Sequence, residues 1–238
     1  MRHIIRMLSS SQIIIFGFAA IILLGSILLM LPIATQDGQG AVFSDALFTA
    51  TSAVCVTGLI VQDTATYWSI FGQVIILILI QIGGMGVVAL AVSITRISGK
   101  KISLKGRSTL QESISAPKMG GIVELLGFIL KMTFLIELIG AILMAPVFVK
   151  ELGIGKGIWY GIFHSISAFC NAGFDLMGYK IPYSSLTYFV THPVINIVIM
   201  TLIVVGGIGF LTWEDIKTNK FHIRKYSMKS KVILVTTA

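Results

Sequence analysis

The stretch SAVCVTGL, residues 52–59, returns in altered form as SAFCNAGF, residues 167–174. Aligned without a gap, Ser52, Ala53, Cys55 and Gly58 fall on Ser167, Ala168, Cys170 and Gly173. Each phrase is polar enough to be a loop, yet a long apolar run follows each one closely. A second shared mark keeps the same order, IGGMG at 82–86 and VGGIG at 205–209. Internal repetition of this kind decides the architecture before any single element does. The first unit reads as an apolar span 13–31, an outside loop, a short segment 43–53, the phrase, and a span from Trp68 to Ile94. The second reads as a span from Ile122 to Val149, an outside loop, a short segment 158–169, the phrase, and a span from Thr187 to Trp213.

Composition sets the solvent. The 238 residues are 55% hydrophobic and 12% charged, with a mean hydropathy of +0.94. Soluble domains carry roughly 25% charged residues. Ile13 to Leu31 contains no charged residue, and nineteen helical residues rise roughly 28 Å, about the thickness of the hydrocarbon. Arg2, His3 and Arg6 before this run allow a signal-peptide reading, but a signal h-region of about 7–15 residues is shorter. The run is therefore expected to stay as a membrane span. The net charge of +8 does not indicate nucleic acid, because the cations are placed by topology. No Lys or Arg occurs between Met7 and Thr95, and 14 of the 18 basic residues fall at the N-terminus, in 96–118 or in 217–231. The positive-inside rule then puts the N-terminus in the cytoplasm of a multi-pass cell-membrane protein with four crossings. Two crossings per unit make the repeats parallel, arranged about an axis along the membrane normal.

The short segments 43–53 and 158–169 rise roughly 18 Å or less as helices and cannot span. They read as half-helices dipping in from outside, with Ser44 or Asp45 as the N-cap of the first. Their C-terminal ends carry partial negative charge and attract cations. Non-helical backbone is tolerated at membrane depth only where protein buries it or it lines a wet cavity. An extended return loop bares carbonyl oxygens that can replace the water shell of a cation. Gly58 and Gly173 supply positive φ at no steric cost. Val54, Val56 and Phe169 can brace the loops from behind, and Asn171 can bond to the scaffold. The alternative for either phrase alone is an ordinary outside loop with a glycine turn; the repeat favours a filter. The GGMG and GGIG runs read as close helix packing, with a flexing inner gate as the other reading.

The remaining polar residues stay open between a site and a scaffold. Glu137 and Lys131 lie inside the third span, where a charge costs about 2.5–3.5 kcal/mol and must face protein or water. His164 and His192 lack carboxylate or Cys neighbours at ligand spacing and read as structural groups. Asp63 and Asp175 follow their phrases at the outside mouth, as cation concentrators or as solvated charges. The two cysteines stand 115 residues apart and read as small loop residues; nothing supports a disulfide or a metal site. An intramembrane enzyme is disfavoured, since adjacent His164 and Ser165 point to different sides of a helix.

DALFTATSAVCVTGL, QIGGMG, HSISAFCNAGF and GGIGF resemble the membrane subunit of the Ktr/Trk/HKT superfamily of potassium transporters, the Ktr branch most closely. The resemblance implies an all-α membrane protein of tandem parallel repeats, each span–re-entrant pore helix–filter loop–span, like a potassium channel folded from one polypeptide. It implies units at 1–97 and 121–217, a cytoplasmic basic loop at 98–120, and a basic loop with the start of a third unit at 218–238. The filter carries over onto Val54, Cys55, Val56, Thr57 and Gly58, and onto Phe169, Cys170, Asn171, Ala172 and Gly173, mainly through backbone carbonyls. The implied cargo is K+, with Na+ as a coupling ion. The implied partners are membrane lipid, a second copy in a homodimer, and a cytosolic ring of nucleotide-binding regulatory subunits that the basic loop would contact; nucleic acid is not among them. Glycine in the first loop resembles potassium-conducting members. The family is built from four such units and this sequence holds two, so the chain reads as an N-terminal half. A secondary carrier of another solute and a non-conducting fragment are the alternative functions.

Overall fold

The computed structural model describes residues 9–86, 104–113, 122–220 and 222–237. Among them every regular element is a helix, apart from one antiparallel bridge between Thr35 and Trp68. The basic residues Arg2, Arg6, Arg96, Lys100, Lys101 and Lys118, the end of the second span at 87–94 and the remainder of the 98–120 loop lie outside the described residues.

Ser9 starts the first helix, α1 (Ser10–Leu29), with a capping box. The Gln12 amide donates to Ser9 Oγ at 3.3 Å and the Ser9 amide to Gln12 Oε1 at 2.9 Å. Ile15, Phe16, Leu23, Leu24 and Ile27 of α1 are exposed, and such an apolar exterior suits hydrocarbon rather than water. Its one polar interior group, Ser26 Oγ, bonds back to the Ile22 carbonyl at 2.7 Å. Ser11–Leu29 and Val123–Leu152 are each long and apolar enough to cross a membrane. The protein is an all-helical membrane protein.

After α1 the chain turns at Pro32–Ala34 and returns as α2 (Phe43–Val54). The expected caps Ser44 and Asp45 lie inside the first turn instead, because the helix starts at Val42, whose carbonyl takes the Asp45 and Ala46 amides. Asp45 still suits the helix N-terminus, and its Oδ2 accepts from Gln62 at 2.8 Å. Ala46, Thr49, Ala50, Ala53 and Val54 form the buried face at helical spacing. In the loop between α1 and α2, the Thr35 hydroxyl donates to Asp37 at 2.6 Å and holds that carboxyl below its ordinary pKa. Ser69 caps α3 (Ile70–Met85), which closes at Gly86 with φ +83°. Helix α4 (Leu104–Ser113) packs against α1 and, less extensively, against α5 (Ile122–Leu152). The latter's 31 residues rise about 46 Å. It makes the most extensive helix contact of the molecule, with α6 (Ile154–Phe169).

The expected span from Thr187 to Trp213 is not continuous. Helix α7 (Pro193–Gly207) starts only after the His192 cap, and α8 (Phe210–Asn219) leaves it at 89°. Gly209, at φ +80°, makes this elbow possible. The Trp213 indole donates to the Val205 carbonyl at 3.2 Å and braces the bend. Met228–Thr237 forms a last helix, α9, tied to α8 through Asp215, which accepts from Ser230 Oγ at 2.6 Å.

Asp63 links two loops 120 residues apart in the chain. It is buried; Oδ1 accepts from the Ala65 and Thr66 amides, each at 3.0 Å, and from Thr66 Oγ1 at 2.9 Å, while Oδ2 accepts from the Tyr183 amide at 2.8 Å. It is thus neither a solvated charge nor an open collector of cations. Asp63→Ala is expected to destabilise the fold by about 3 kcal/mol, since it strands buried donors. Asp63→Asn, which keeps an acceptor, should lose less than half of that. Thermal unfolding in detergent reads both; an unshifted midpoint for the Ala variant would contradict the role.

Candidate functional site

The two phrases close their helices with the same bonds. In the first, the Cys55 amide donates to Thr51 O at 2.8 Å, Val56 to Ala53 O at 3.3 Å and Thr57 to Ser52 O at 3.0 Å. In the second, the Cys170 amide donates to Ile166 O at 2.9 Å, Asn171 to Ala168 O at 3.0 Å and Ala172 to Ser167 O at 2.8 Å. The dihedral signs match as well. Gly58 and Gly173 both have φ +74°, and two positions earlier Val56 and Asn171 have φ +48° and +57°. Asn tolerates the left-handed region; a β-branched Val does so only under strain of order 1–3 kcal/mol. The surrounding bonds hold it there.

The two loops lie side by side. A Cβ added to Gly58 would stand 2.7 Å from Ala172 O and 3.2 Å from Gly173 Cα; one added to Gly173 would stand 3.4 Å from Gly58 Cα. The backbones therefore meet at the glycines. Of the ten residues singled out by sequence, Val54, Phe169, Cys170 and Ala172 are buried, while Cys55, Thr57, Asn171 and Gly173 are exposed. Val56 and Gly58 are half-buried. The phrase serines serve their own loops: Ser52 Oγ pairs with Thr57 Oγ1 at 2.9 Å, and Ser167 Oγ donates to Phe174 O at 2.6 Å. A cavity of about 210 Å³ beside the second loop is lined by His164, Asn171, Gly173 and Asp175, with Ser185 and Ile199 across from them.

The glycine runs bring spans against helix ends. A Cβ on Gly83 would collide with the Val54 carbonyl oxygen, and one on Gly206 with the Phe169 carbonyl oxygen. These are the last residues of α2 and α6, so α3 and α7 touch the two loops at matching points. Close packing accounts for both glycines.

His164 lies between two backbone groups, its Nδ1 2.7 Å from Tyr160 O and its Nε2 accepting from the Leu176 amide at 3.2 Å. The network sets Nδ1 as the protonated nitrogen. It ties α6 to the chain just after the second phrase. His192 caps α7. Among the described residues no group of three His, Cys, Asp or Glu side chains could hold a metal, and both cysteines are free. Sequence reasoning missed the positive φ of Val56 and the bridging role of Asp63. Asn171, a residue tolerant of that conformation at the matching place, was the one available signal for the first. What the site offers, then, is two short backbone loops at helix C-termini, meeting without a catalytic constellation between them.

The profile of the TrkH family, described as Cation transport protein, matches residues 3–235. The chain belongs to this family. Its members are transporters, not enzymes. The chain is 43% identical over its whole length to the potassium/sodium uptake protein NtpJ of Enterococcus hirae, covering 51% of that protein. It is 41% identical over 95% of its length to the Ktr system potassium uptake protein B of Bacillus subtilis, covering 49% of it, and 32% identical over 95% to the protein of the same name from Vibrio alginolyticus, covering 48%. The chain thus spans about half the length of the curated relatives it matches.

The neighbouring glycines separate packing from helix propensity. Gly206→Ala is expected to destabilise the protein by about 1–3 kcal/mol through the clash with Phe169. Gly207→Ala, whose Cβ would meet only Asn171 Nδ2 at 3.8 Å, should be neutral or slightly stabilising. Unfolding midpoints of the two variants in detergent provide the comparison.

Proposed function

We propose that this chain supplies two walls of a channel-like pore for potassium uptake across the cell membrane. Peptide carbonyls at Val54–Gly58 and at Phe169–Gly173 would stand in for water around the ion, a role met by backbone oxygens in potassium filters. In this reading the chain carries two parallel repeats, 1–97 and 121–217, with basic segments 98–120 and 218–238 and the N-terminus in the cytoplasm. Helices α2 and α6 are re-entrant and direct their negative ends toward the ion. Four crossings follow, two per repeat.

What supports this reading is the meeting of two like-folded loops, backbone to backbone, at Gly58 and Gly173. The relatives' names, potassium uptake and potassium/sodium uptake, agree with K+ as the cargo and Na+ as a coupling or second ion. Since the relatives are about twice as long, the remaining walls belong to the other half of an intact transporter. That transporter would form a homodimer and dock on a cytosolic ring of nucleotide-binding regulatory subunits.

The test is uptake by the intact transporter in cells that lack their own potassium uptake. Gly58→Ser and Gly173→Ser place a Cβ on left-handed backbone, at Gly58 against Ala172 O. Each is expected to cut K+/Na+ discrimination at least about tenfold, equivalent to about 1.4 kcal/mol at the filter. Unchanged selectivity and flux in both variants would remove the filter assignment.

A further inference from the structure

Between α3, α5 and α6 runs a chain of polar groups that meets the second loop only at the side chain of Cys170. Glu137 of α5 is only 4% exposed, deep among apolar side chains. Its Oε1 accepts from Gln81 Nε2 of α3 at 2.9 Å, and its Oε2 is buried with no partner. The other end of that amide, Gln81 Oε1, faces the thiol of Cys170 at 3.9 Å. Meanwhile the Glu137 main-chain carbonyl accepts from Ser165 Oγ of α6 at 2.6 Å. One turn along each helix a glycine allows the approach. A Cβ on Gly140 would strike Ser165 Oγ, and one on Gly84 would stand 2.5 Å from Cys170 Sγ.

A carboxyl in such a place is costly, and leucine would pack there without that cost. Buried polar pairs of this kind serve best as registry devices, fixing which groups meet. Here the geometry is suited to that use. Gln81 can bond to Glu137 through its amide nitrogen and to the thiol through its oxygen only in one orientation. Cys170 is the C-cap of α6, and the next residue, Asn171, begins the left-handed turn of the second loop. Helix α3 follows the first loop in the chain, so the bond joins the two halves and reaches the second loop at Cys170. The register that aligns IGGMG with VGGIG sets Val204 against Gln81, and valine cannot make this bond. The pin therefore exists at this junction and has no counterpart in the second half.

We infer that Glu137 is a positioning residue, which through Gln81 and the Cys170 thiol sets the second loop against the first and so tunes ion discrimination. This rests on the filter reading above. In the intact transporter, Glu137→Leu and Gln81→Leu are each expected to lower K+/Na+ selectivity or raise the KM for K+ at least about threefold, with a smaller change in maximal rate. Glu137→Gln, which keeps an acceptor for Gln81, should hold the parent selectivity. The Leu/Leu double variant should be no worse than either single one, as for partners in one contact. If Glu137→Leu leaves selectivity and KM unaltered while Gly173→Ser changes them, the pin is refuted and the filter stands. If Gly173→Ser is also silent, the filter reading itself has failed. Additive losses in the double variant likewise overturn the pin. Should the Leu variants not reach the membrane, the exchanged pair Gln81→Glu with Glu137→Gln decides. It should regain the selectivity that Gln81→Glu alone loses, and failure to regain it counts against the pin.

Discussion

Peptide groups that leave a helix inside a membrane must be satisfied by protein or turned toward water. At residues 55–60 and 170–176 the chain leaves a helix, and the structure depends on how protein holds the backbone there. Each stretch hangs from the end of a short helix by the same run of amide bonds, and each is closed by a glycine at φ +74°. Neither loop is large enough to stand alone. Each rests on the glycine face of a following helix, at Gly83 or Gly206, and on the other loop at Gly58 and Gly173. Side chains longer than hydrogen would separate these surfaces, so the glycines set the spacing of the whole interior.

Polar side chains in the same region divide into two kinds. Those near the loops bond within the same segment, Ser52 to the Thr57 hydroxyl and Ser167 and His164 to backbone groups. A second set reaches between elements distant in sequence, as Asp63 does to Tyr183 and Gln81 to Glu137. In low dielectric such bonds gain strength and tolerate little error. They fix register where apolar contacts between helices would permit sliding. The exposed surfaces of the apolar helices need no such control, and there Ile, Leu, Phe and Val predominate.

The membrane class, the first short helix and the left-handed glycines were legible in the sequence because each leaves a local mark, whereas the second helix starts at Ile154 after the Gly153 turn, four residues before the expected 158. An apolar run has a length, a half-helix has too few residues, and a glycine in a repeated phrase has few other uses. Helix boundaries were less legible. Ser44 and Asp45 look like caps, but Val42 is the cap because the backbone already turns there. The run ending at Trp213 looks continuous, since hydropathy does not register a change of direction at Gly209. Val56 carries no sign of positive φ, for the strain is imposed by its surroundings. The partners of Asp63 and Glu137 are 120 and 56 residues away, and no local pattern pairs them.

The elbow between α7 and α8 has a mechanical consequence. Trp213 sits just past the bend with its ring edge-on to Phe169, 5.8 Å between centroids, while Lys217 one turn later lies 4.3 Å above the Phe128 ring. Phe169 is the last residue of α6, directly before the second loop. Helix α8 is thus fastened at two points one turn apart, by the Trp213 indole and by Lys217. The bend thus folds the chain back so that one indole touches both α7, through the Val205 carbonyl, and the end of α6, through Phe169.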